Sequence, residues 1–306
     1  MKSKQAQADI LLLLTAAIWG FAFVAQRVGM DYVGPFTYGG VRFLLGALSL
    51  IPLILVFRLK GAGAQKKGGN LFSSALIAGL CLFVATSFQQ TGIYWTTAGN
   101  SGFITGVYVV LVPIAGIFLG RKTGLFTWIG AALTFTGLFL VSGGGHVSSF
   151  NVGDLLIFVS GLFWTCHVLL IDHLVKKTDA LALSCGQFAV CGVLSLITAA
   201  FNIPALIGMG SPPEIFTAGF RAAALLEAIV PVLYGGLASV GVAYTLQVVA
   251  QQWAHPAHAS IILVLESVFA AIGGILLLGE KPSLITLAGF TLMLSGMIVS
   301  QLRREV

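Results

Sequence analysis

The sequence predicts an all-α membrane protein with ten transmembrane helices arranged as two inverted five-helix repeats. Composition is the first reason: 58% of the 306 residues are hydrophobic and 8% are charged, whereas a soluble domain carries roughly 25% charged residues. The second reason is the stretch 259–302, where two apolar runs of about 20 residues flank the segment GEKPS, as in two helices that cross a bilayer. The stretch 101–141 has the same layout.

The similarity between the two halves extends to individual residues. Trp164 follows Trp19 by 145 residues, and Gln247 follows Gln89 by 158. Three glycines recur at a spacing of 159 residues, so that Gly120, Gly130 and Gly137 are matched by Gly279, Gly289 and Gly296. We therefore expect two repeats, 1–150 and 151–306. Because five helices per repeat is an odd number, the second repeat is inverted, and this architecture predicts alternating access to a site near the midplane.

Ten apolar runs are long enough to span a bilayer, and they lie at about 10–28, 35–57, 71–95, 101–119, 125–141, 155–175, 181–201, 225–253, 259–278 and 284–302. The first run is too long for the apolar core of a signal peptide. With both termini in the cytoplasm, 12 of the 16 lysines and arginines fall in cytoplasmic segments, the side on which basic residues are retained. We predict a multi-pass protein of the cell membrane (plasma or inner), surrounded by the lipid bilayer.

Composition and motifs also exclude several function classes. Topology explains the net charge of +6, because no basic stripe with interleaved aromatic residues points to nucleic acid. The four cysteines lie inside apolar runs, and His255 and His258 have no third ligand nearby, so no metal site is predicted. The sequence contains no HExxH, GxSxG or P-loop motif. We expect no enzyme activity, cofactor, metal or nucleic-acid partner.

The chain resembles a known family on particular residues. Each half has a tryptophan in its first helix, the first half has Arg42 in its second helix, and the chain closes with LVLESVFAAIGGILLLGEKPSLITLAGFTLMLSG. These features resemble the ten-helix EamA-type members of the drug/metabolite transporter superfamily, over nearly the whole chain. The resemblance implies export or exchange of amino acids, related metabolites or drug-like compounds. Arg121 stands where the second copy has Glu280, a departure that we interpret as an adaptation to the opposite side of the membrane.

Two charged residues lie deep within the predicted spans. Arg42 is on the order of 10 Å below the interface, where a charge costs roughly 2.5 to 3.5 kcal/mol. It is either an anchor for a substrate carboxylate or a hydrogen-bonding brace or snorkelling side chain. Glu266 lies midway along the ninth span. It could pair with Arg42, bind a substrate amine, carry a proton, or pack as a neutral carboxyl.

Aromatic and neutral polar residues complete the predicted site. Trp19 shares a helix face with Phe23 and Gln26, and Trp164 shares one with His167. Two tryptophans facing a common centre would form walls for an apolar side chain or a cation, with helix packing as the alternative. Polar residues within spans either orient a substrate or join helices. The predicted substrate-binding set is Trp19, Arg42, Gln89, Asn100, Tyr108, Trp164, His167, Gln187, Tyr244 and Glu266.

Three further features are interpreted without a role in binding. Asp172 and His173 could relay protons, but they approach the cytoplasmic end of the sixth span, where they would be solvated. The stretch 202–224 contains three prolines and is interpreted as irregular surface chain. The glycine faces of the fifth and tenth spans lead to the hypothesis of a homodimer.

Together these features predict a secondary transporter of small molecules. One deep arginine and one deep glutamate suit a zwitterion, so we expect an exporter of amino acids or related metabolites that works by alternating access. Efflux of amphipathic drugs is the alternative, because the two charges could neutralise each other. A channel is less favoured, since the rare charges form no ring or filter sequence.

Overall fold

The computed structural model describes residues 2–59, 68–95, 98–141, 151–206, 208–278 and 283–302. Within these ranges the chain is helical and contains no strand. The helices of the first half are α1 (Lys2–Gly29), α2 (Pro35–Leu59), α3 (Leu71–Trp95), α4 (Ala98–Gly106), α5 (Tyr108–Phe118) and α6 (Leu125–Val141). The second half contains α7 (Val152–Leu174), α8 (Ala180–Ala200), α9 (Ile203–Leu206), α10 (Ala223–Glu227), α11 (Ile229–Leu233), a π-helix (Tyr234–Tyr244), α12 (Thr245–Ala250), α13 (Pro256–Leu263), α14 (Glu266–Leu278) and α15 (Leu284–Leu302).

Six apolar helical segments of the described chain are long enough to cross a membrane. They are Lys4–Gly29, Pro35–Phe57, Leu71–Trp95, Val152–Leu174, Ala180–Ala200 and Ile229–Ala250. Four shorter apolar segments accompany them, at Ile104–Phe118, Leu125–Leu140, Pro256–Ala270 and Leu284–Ser300. Large apolar side chains such as Ile10, Leu48 and Ile77 are exposed on the outer helix faces, where a soluble protein would be polar. The chain is therefore a multi-pass membrane protein.

The structure breaks three of the predicted spans. The run 101–119 contains the junction between α4 and α5 at Val107, and the run 259–278 contains the junction between α13 and α14 at Val264 and Leu265. The run 225–253 is divided among α10, α11, the π-helix and α12. The sequence did not predict these breaks, because each junction lies within an uninterrupted apolar run.

Glycines bring α6 and α15 into direct backbone contact. A Cβ atom on Gly137 would lie 2.5 Å from the carbonyl oxygen of Gly289, and a Cβ atom on Gly130 would lie 2.6 Å from that of Gly296. Small residues permit this approach between helices that the bilayer does not drive together. The two glycine faces are thus buried against each other within one chain. The hypothesis of a homodimer loses the support it drew from them and stays a prediction.

An ion-pair cluster lies on the near side of the molecule, which we define as the side on which α1 begins. Asp172 lies 2.6 Å from Arg121 and 3.0 Å from Lys176. The Asp172 side chain is only 1% exposed, so the expectation that it is solvated is wrong. His173, the next residue, is exposed as expected. Burial of Asp172 depends on Arg121, which is distant in sequence.

Replacing Gly137 with alanine is expected to destabilise the protein by about 1–3 kcal/mol, because the added methyl group would overlap the α15 backbone rather than a movable side chain. Gly116→Ala is the matched control, since the nearest atom to a Cβ atom there is 3.7 Å away. Thermal unfolding of both variants in one detergent measures the difference. Equal melting temperatures would contradict the close α6–α15 contact.

Candidate functional site

The helices surround a cavity, here called the main cavity, with about 520 Å³ of space between atoms, part of it open to solvent. Seven of the ten predicted site residues line it, namely Trp19, Arg42, Gln89, Tyr108, Trp164, Tyr244 and Glu266. They come from helices far apart in the sequence, α1 to α3, α5, α7, the π-helix and α14. Both halves of the chain therefore contribute to a single cavity.

One wall of the main cavity is aromatic. The ring of Tyr244 lies between two tryptophans, with its centroid 4.5 Å from that of Trp19 and 6.0 Å from that of Trp164. Phe43 and Phe188 support Tyr244 from behind, at 5.9 Å and 5.8 Å. Side chains packed on several neighbours lose little freedom when a ligand binds, so this wall presents a preformed apolar surface.

Arg42 supplies a buried positive charge at the edge of this wall. Its guanidinium carbon lies 4.9 Å from the ring centroid of Phe43 and 5.4 Å from that of Tyr38, so both rings stabilise the cation. The residue is 2% exposed, which does not fit a snorkelling side chain. Arg42 forms no salt bridge with any residue that the structure describes, and its Nε atom has no hydrogen-bond partner there.

Glu266 contributes an acidic side chain to the same cavity and does not pair with Arg42. No ion pair joins these two described residues, which argues against the pairing considered from the sequence. Glu266 is the first residue of α14, where the positive end of the helix dipole favours a carboxylate. The cavity thus contains a guanidinium group and a carboxyl group that do not contact each other as an ion pair.

Tyr108 and Glu266 occupy corresponding places at two helix breaks. Tyr108 is the first residue of α5 and Glu266 is the first residue of α14, 158 residues later. Both side chains line the main cavity. Interrupted membrane helices leave backbone groups free to meet a ligand, and they mark binding sites in transporters. The two breaks therefore point to the main cavity as the site.

A third irregularity, the π-helix Tyr234–Tyr244, borders the cavity where Trp19 packs. Trp19 Nε1 donates a hydrogen bond of 3.3 Å to the carbonyl oxygen of Ser239, and Thr15 Oγ1 donates one of 3.1 Å to that of Ala243. Side chains that bond to helical carbonyls compete with the regular i to i−4 pattern, and π-helical turns are frequent at functional sites. Gly235 allows close packing here, because a Cβ atom would lie 2.7 Å from Tyr38 Oη.

Glu214 binds the first turn of α2, the helix that carries Arg42. It lies in the loop between α9 and α10, on the far side of the molecule, opposite the near side. Glu214 Oε1 accepts a hydrogen bond of 3.0 Å from Phe36 N, and Oε2 accepts one of 2.6 Å from Thr37 N and another from Thr37 Oγ1. Glu214 is 0% exposed, so the interpretation of this loop as surface chain is wrong at this residue. Burial raises the pKa of the Glu214 carboxyl, while the hydrogen bonds from Thr37 and Phe36 oppose that rise.

Three predicted residues are not among those that line the main cavity. His167 and Gln187 are both fully buried and lie 2.9 Å apart, Nε2 to Oε1. The His167 ring stands edge-on to Trp164, with centroids 5.7 Å apart, so the pair supports the wall from behind. Asn100 belongs to α4, but its side chain lies outside the described residues.

The predicted set also missed several polar residues that line the cavity. Gln26 shares the predicted face of Trp19, and Gln247 is the repeat match of Gln89, whereas Thr105 and Ser239 carry no signal because small hydroxyl residues are common in membrane helices. Gln89 Nε2 lies 3.3 Å from Thr105 Oγ1, so these two form one polar patch. No group of three or more His, Cys, Asp or Glu suited to a metal ion occurs in the described part of the chain.

Glu214→Ala is expected to destabilise the far-side end of α2 by about 1–2 kcal/mol, because two backbone N–H groups lose their acceptor. Hydrogen exchange of the amides of residues 36 and 37 should then become faster. Glu227→Ala is the control, since that side chain is 43% exposed and makes only a 3.5 Å ion pair with Arg221, a contact of little energy. Unchanged exchange in Glu214→Ala would contradict the capping role.

Comparison with known proteins gives consistent results. The EamA-like transporter family matches residues 6–143 and again residues 151–301. An uncharacterized transporter of Archaeoglobus fulgidus is 29% identical over 306 residues, which cover 98% of this chain and 87% of the relative. The uncharacterized inner membrane transporter YedA of Escherichia coli is 27% identical over 154 residues, 48% of this chain and 47% of that protein. A solved crystal structure shares the fold, with a TM-score of 0.74 and 15% identity over 97% of both chains.

The family match covers most of the chain, and it confirms the resemblance that the sequence motifs indicated. The chain belongs to the EamA-like transporter family and is a membrane transporter.

Proposed function

We propose that the chain is a secondary transporter of small zwitterions, amino acids or related metabolites, and that it exports them. The separation of the two charges in the main cavity carries this proposal. Arg42 and Glu266 line one cavity without forming an ion pair. A ligand with a carboxylate and an amine satisfies both charges at once, and a guanidinium binds a carboxylate through two parallel hydrogen bonds.

The proposed binding mode uses Arg42, Glu266 and the aromatic wall of the main cavity. The substrate carboxylate meets Arg42, the amine meets Glu266, and an apolar side chain lies against Trp19, Trp164 and Tyr244. A cationic amphipathic drug, the alternative substrate, would use the aromatic wall and Glu266. It would leave the charge of Arg42 unpaired in the same cavity, a costly arrangement. The zwitterion is therefore favoured.

Ten spans in two inverted repeats belong to this proposal. The four glycines of the α6–α15 contact support it. In the structure, Gly130 contacts Gly296 and Gly137 contacts Gly289. In the sequence repeat, Gly130 instead corresponds to Gly289 and Gly137 to Gly296. A two-fold axis perpendicular to the helices produces such an exchange of partners. The separate family matches to 6–143 and 151–301 are consistent with it.

Alternating access requires contacts that close one side at a time. On the near side, two ionic side-chain contacts join the proposed halves. Arg121 of the first half lies 2.6 Å from Asp172 of the second, and Asp9 Oδ1 lies 3.0 Å from His258 Nε2. We propose that the near side is cytoplasmic, with both termini there, and that these contacts break when the cavity opens inward.

Counterflow into proteoliposomes tests the substrate class, with labelled neutral, acidic, basic and aromatic amino acids. Wild-type protein is expected to exchange a zwitterion. Arg42→Ala should weaken its binding by about 10- to 100-fold, the effect of losing a hydrogen-bonded charge pair. Glu266→Gln keeps the shape of the side chain and should weaken amine binding without loss of fold.

Ser184→Ala serves as the control in counterflow, because its hydroxyl is buried on α8 but does not line the main cavity. Exchange that is equal in wild type and in folded Arg42→Ala would reject the carboxylate anchor. An absence of exchange for every amino acid would move the search to amphipathic drugs.

Asp172→Asn is expected to favour opening of the near side, because it removes the carboxylate shared by Arg121 and Lys176. Val168 lines the main cavity one turn from Asp172. Val168→Cys, in a protein whose four natural cysteines are replaced, therefore detects opening of the near side. Its labelling by an impermeant thiol reagent from the cytoplasmic side should accelerate roughly 5-fold per 1 kcal/mol contributed by the contact. Lys176→Met, which leaves the Arg121 contact intact, should change the rate less. An unchanged rate in Asp172→Asn would contradict the gating role.

A further inference from the structure

A second cavity lies between the N-terminal part of α2 and the C-terminal halves of α3 and α8, with about 230 Å³ of space between atoms, part of it open to solvent. We call it the side cavity. Its polar lining residues are Arg42, Thr86, Ser87, Gln90 and Ser195. Because Arg42 lines the main cavity as well, its guanidinium is shared by both spaces.

Four buried polar atoms without partners belong to residues that line the side cavity. Arg42 Nε, Ser87 Oγ and both amide atoms of Gln90 lack a hydrogen-bond partner among the described residues. Arg42 and Gln90 are only 2% and 3% exposed. Burying a polar group without a partner is costly, and the great majority of such groups in folded proteins are paired. Two side chains that are more than nine-tenths buried therefore face this space with unused hydrogen-bonding capacity.

Charge determines the kind of ligand that fits this space. The described acids nearest in the fold are committed elsewhere, since Glu214 binds the first turn of α2 and Glu266 faces the main cavity. Neither forms a salt bridge with Arg42. The side chains of Arg42, Gln90 and Ser87 all offer N–H or O–H donors. Donors arranged around an unpaired cation complement an anion rather than a neutral or positive ligand.

We propose that the side cavity binds a small anionic group, held by Arg42 together with Gln90 and Ser87. Two sources share this chemistry, a free inorganic anion such as chloride and the carboxylate of the transported zwitterion. Only the second source rests on the proposed function. Binding of an anion in the absence of substrate tests the site whatever the chain transports.

The experiment compares melting temperatures of the purified full chain in sodium chloride, sodium acetate and the bulky sulfonate salt sodium MES, at equal ionic strength and without substrate. Near saturation, chloride or acetate is expected to raise the melting temperature by about 5 °C over MES, because a ligand that binds only the native state stabilises it. No difference among the three salts would overturn the proposal.

Variants at Gln90 connect the effect to the side cavity. Gln90→Glu places a fixed carboxylate on the cavity wall, so it should melt at the same temperature in all three salts. Gln90→Leu removes the donors without adding charge, should lose most of the salt effect, and decides the matter if Gln90→Glu does not fold. Ser184→Ala removes an unpaired buried hydroxyl that lies on α8 and outside the side cavity. This variant should keep the full salt effect. A wild-type salt effect in both Gln90 variants would overturn the proposal.

Addition of a zwitterion that exchanges in counterflow then separates the two sources. If its presence abolishes the chloride effect, the substrate carboxylate occupies the side cavity, and if the effect persists, an inorganic anion is a separate ligand. A Gln90-dependent salt effect without exchange of any zwitterion would reject the proposed substrate class and keep the anion site.

Discussion

The burial of the Arg42 guanidinium, with no carboxylate partner among the described residues, is the constraint around which the rest of the site is organised. Moving such a charge out of water costs several kcal/mol, and the chain offsets that cost with weaker contacts. The rings of Tyr38 and Phe43 face the cation at 5.4 Å and 4.9 Å. Glu214 fixes the far-side end of α2, and Gly235 lets the π-helix approach Tyr38. These contacts position the cation, and the rings stabilise it without neutralising it, which leaves its charge available to a ligand.

Three irregular helical segments surround the main cavity, and each has a local physical cause. The breaks before Tyr108 and Glu266 place helix N-termini at the cavity. The π-helix offers the carbonyl oxygens of Ser239 and Ala243 to side chains of α1. In a bilayer, backbone groups that leave the regular pattern must find partners inside the protein or a wet cavity. Three irregular segments of the described chain therefore lie at the place where a polar ligand is expected.

The sequence was sufficient for the membrane class and for most of the cavity, because both follow from the scarcity of charge. Apolar runs identify spans, and a residue such as Arg42 or Glu266 in the middle of a run must face the interior. Contacts that depend on partners distant in sequence could not be predicted in this way. Glu214 lies in a loop and Asp172 lies near a span end, and each is buried in contact with a residue that is distant in sequence. His167 and Gln187 bind each other behind the wall, an arrangement that residue type alone does not reveal.

Within the proposed inverted repeat, corresponding positions carry different charges, and this difference favours one orientation of the bound substrate. The spacing of 158 equates Tyr108 with Glu266, and the spacing of 145 equates Arg42 with Gln187. The scaffold is thus nearly symmetric, while the cation belongs to the first half and the anion to the second. A neutral apolar ligand would bind in either of two orientations related by the pseudo-two-fold axis. The proposed zwitterion would bind in one, with its carboxylate toward α2 and its amine toward α14, and under alternating access it would bridge the two moving halves.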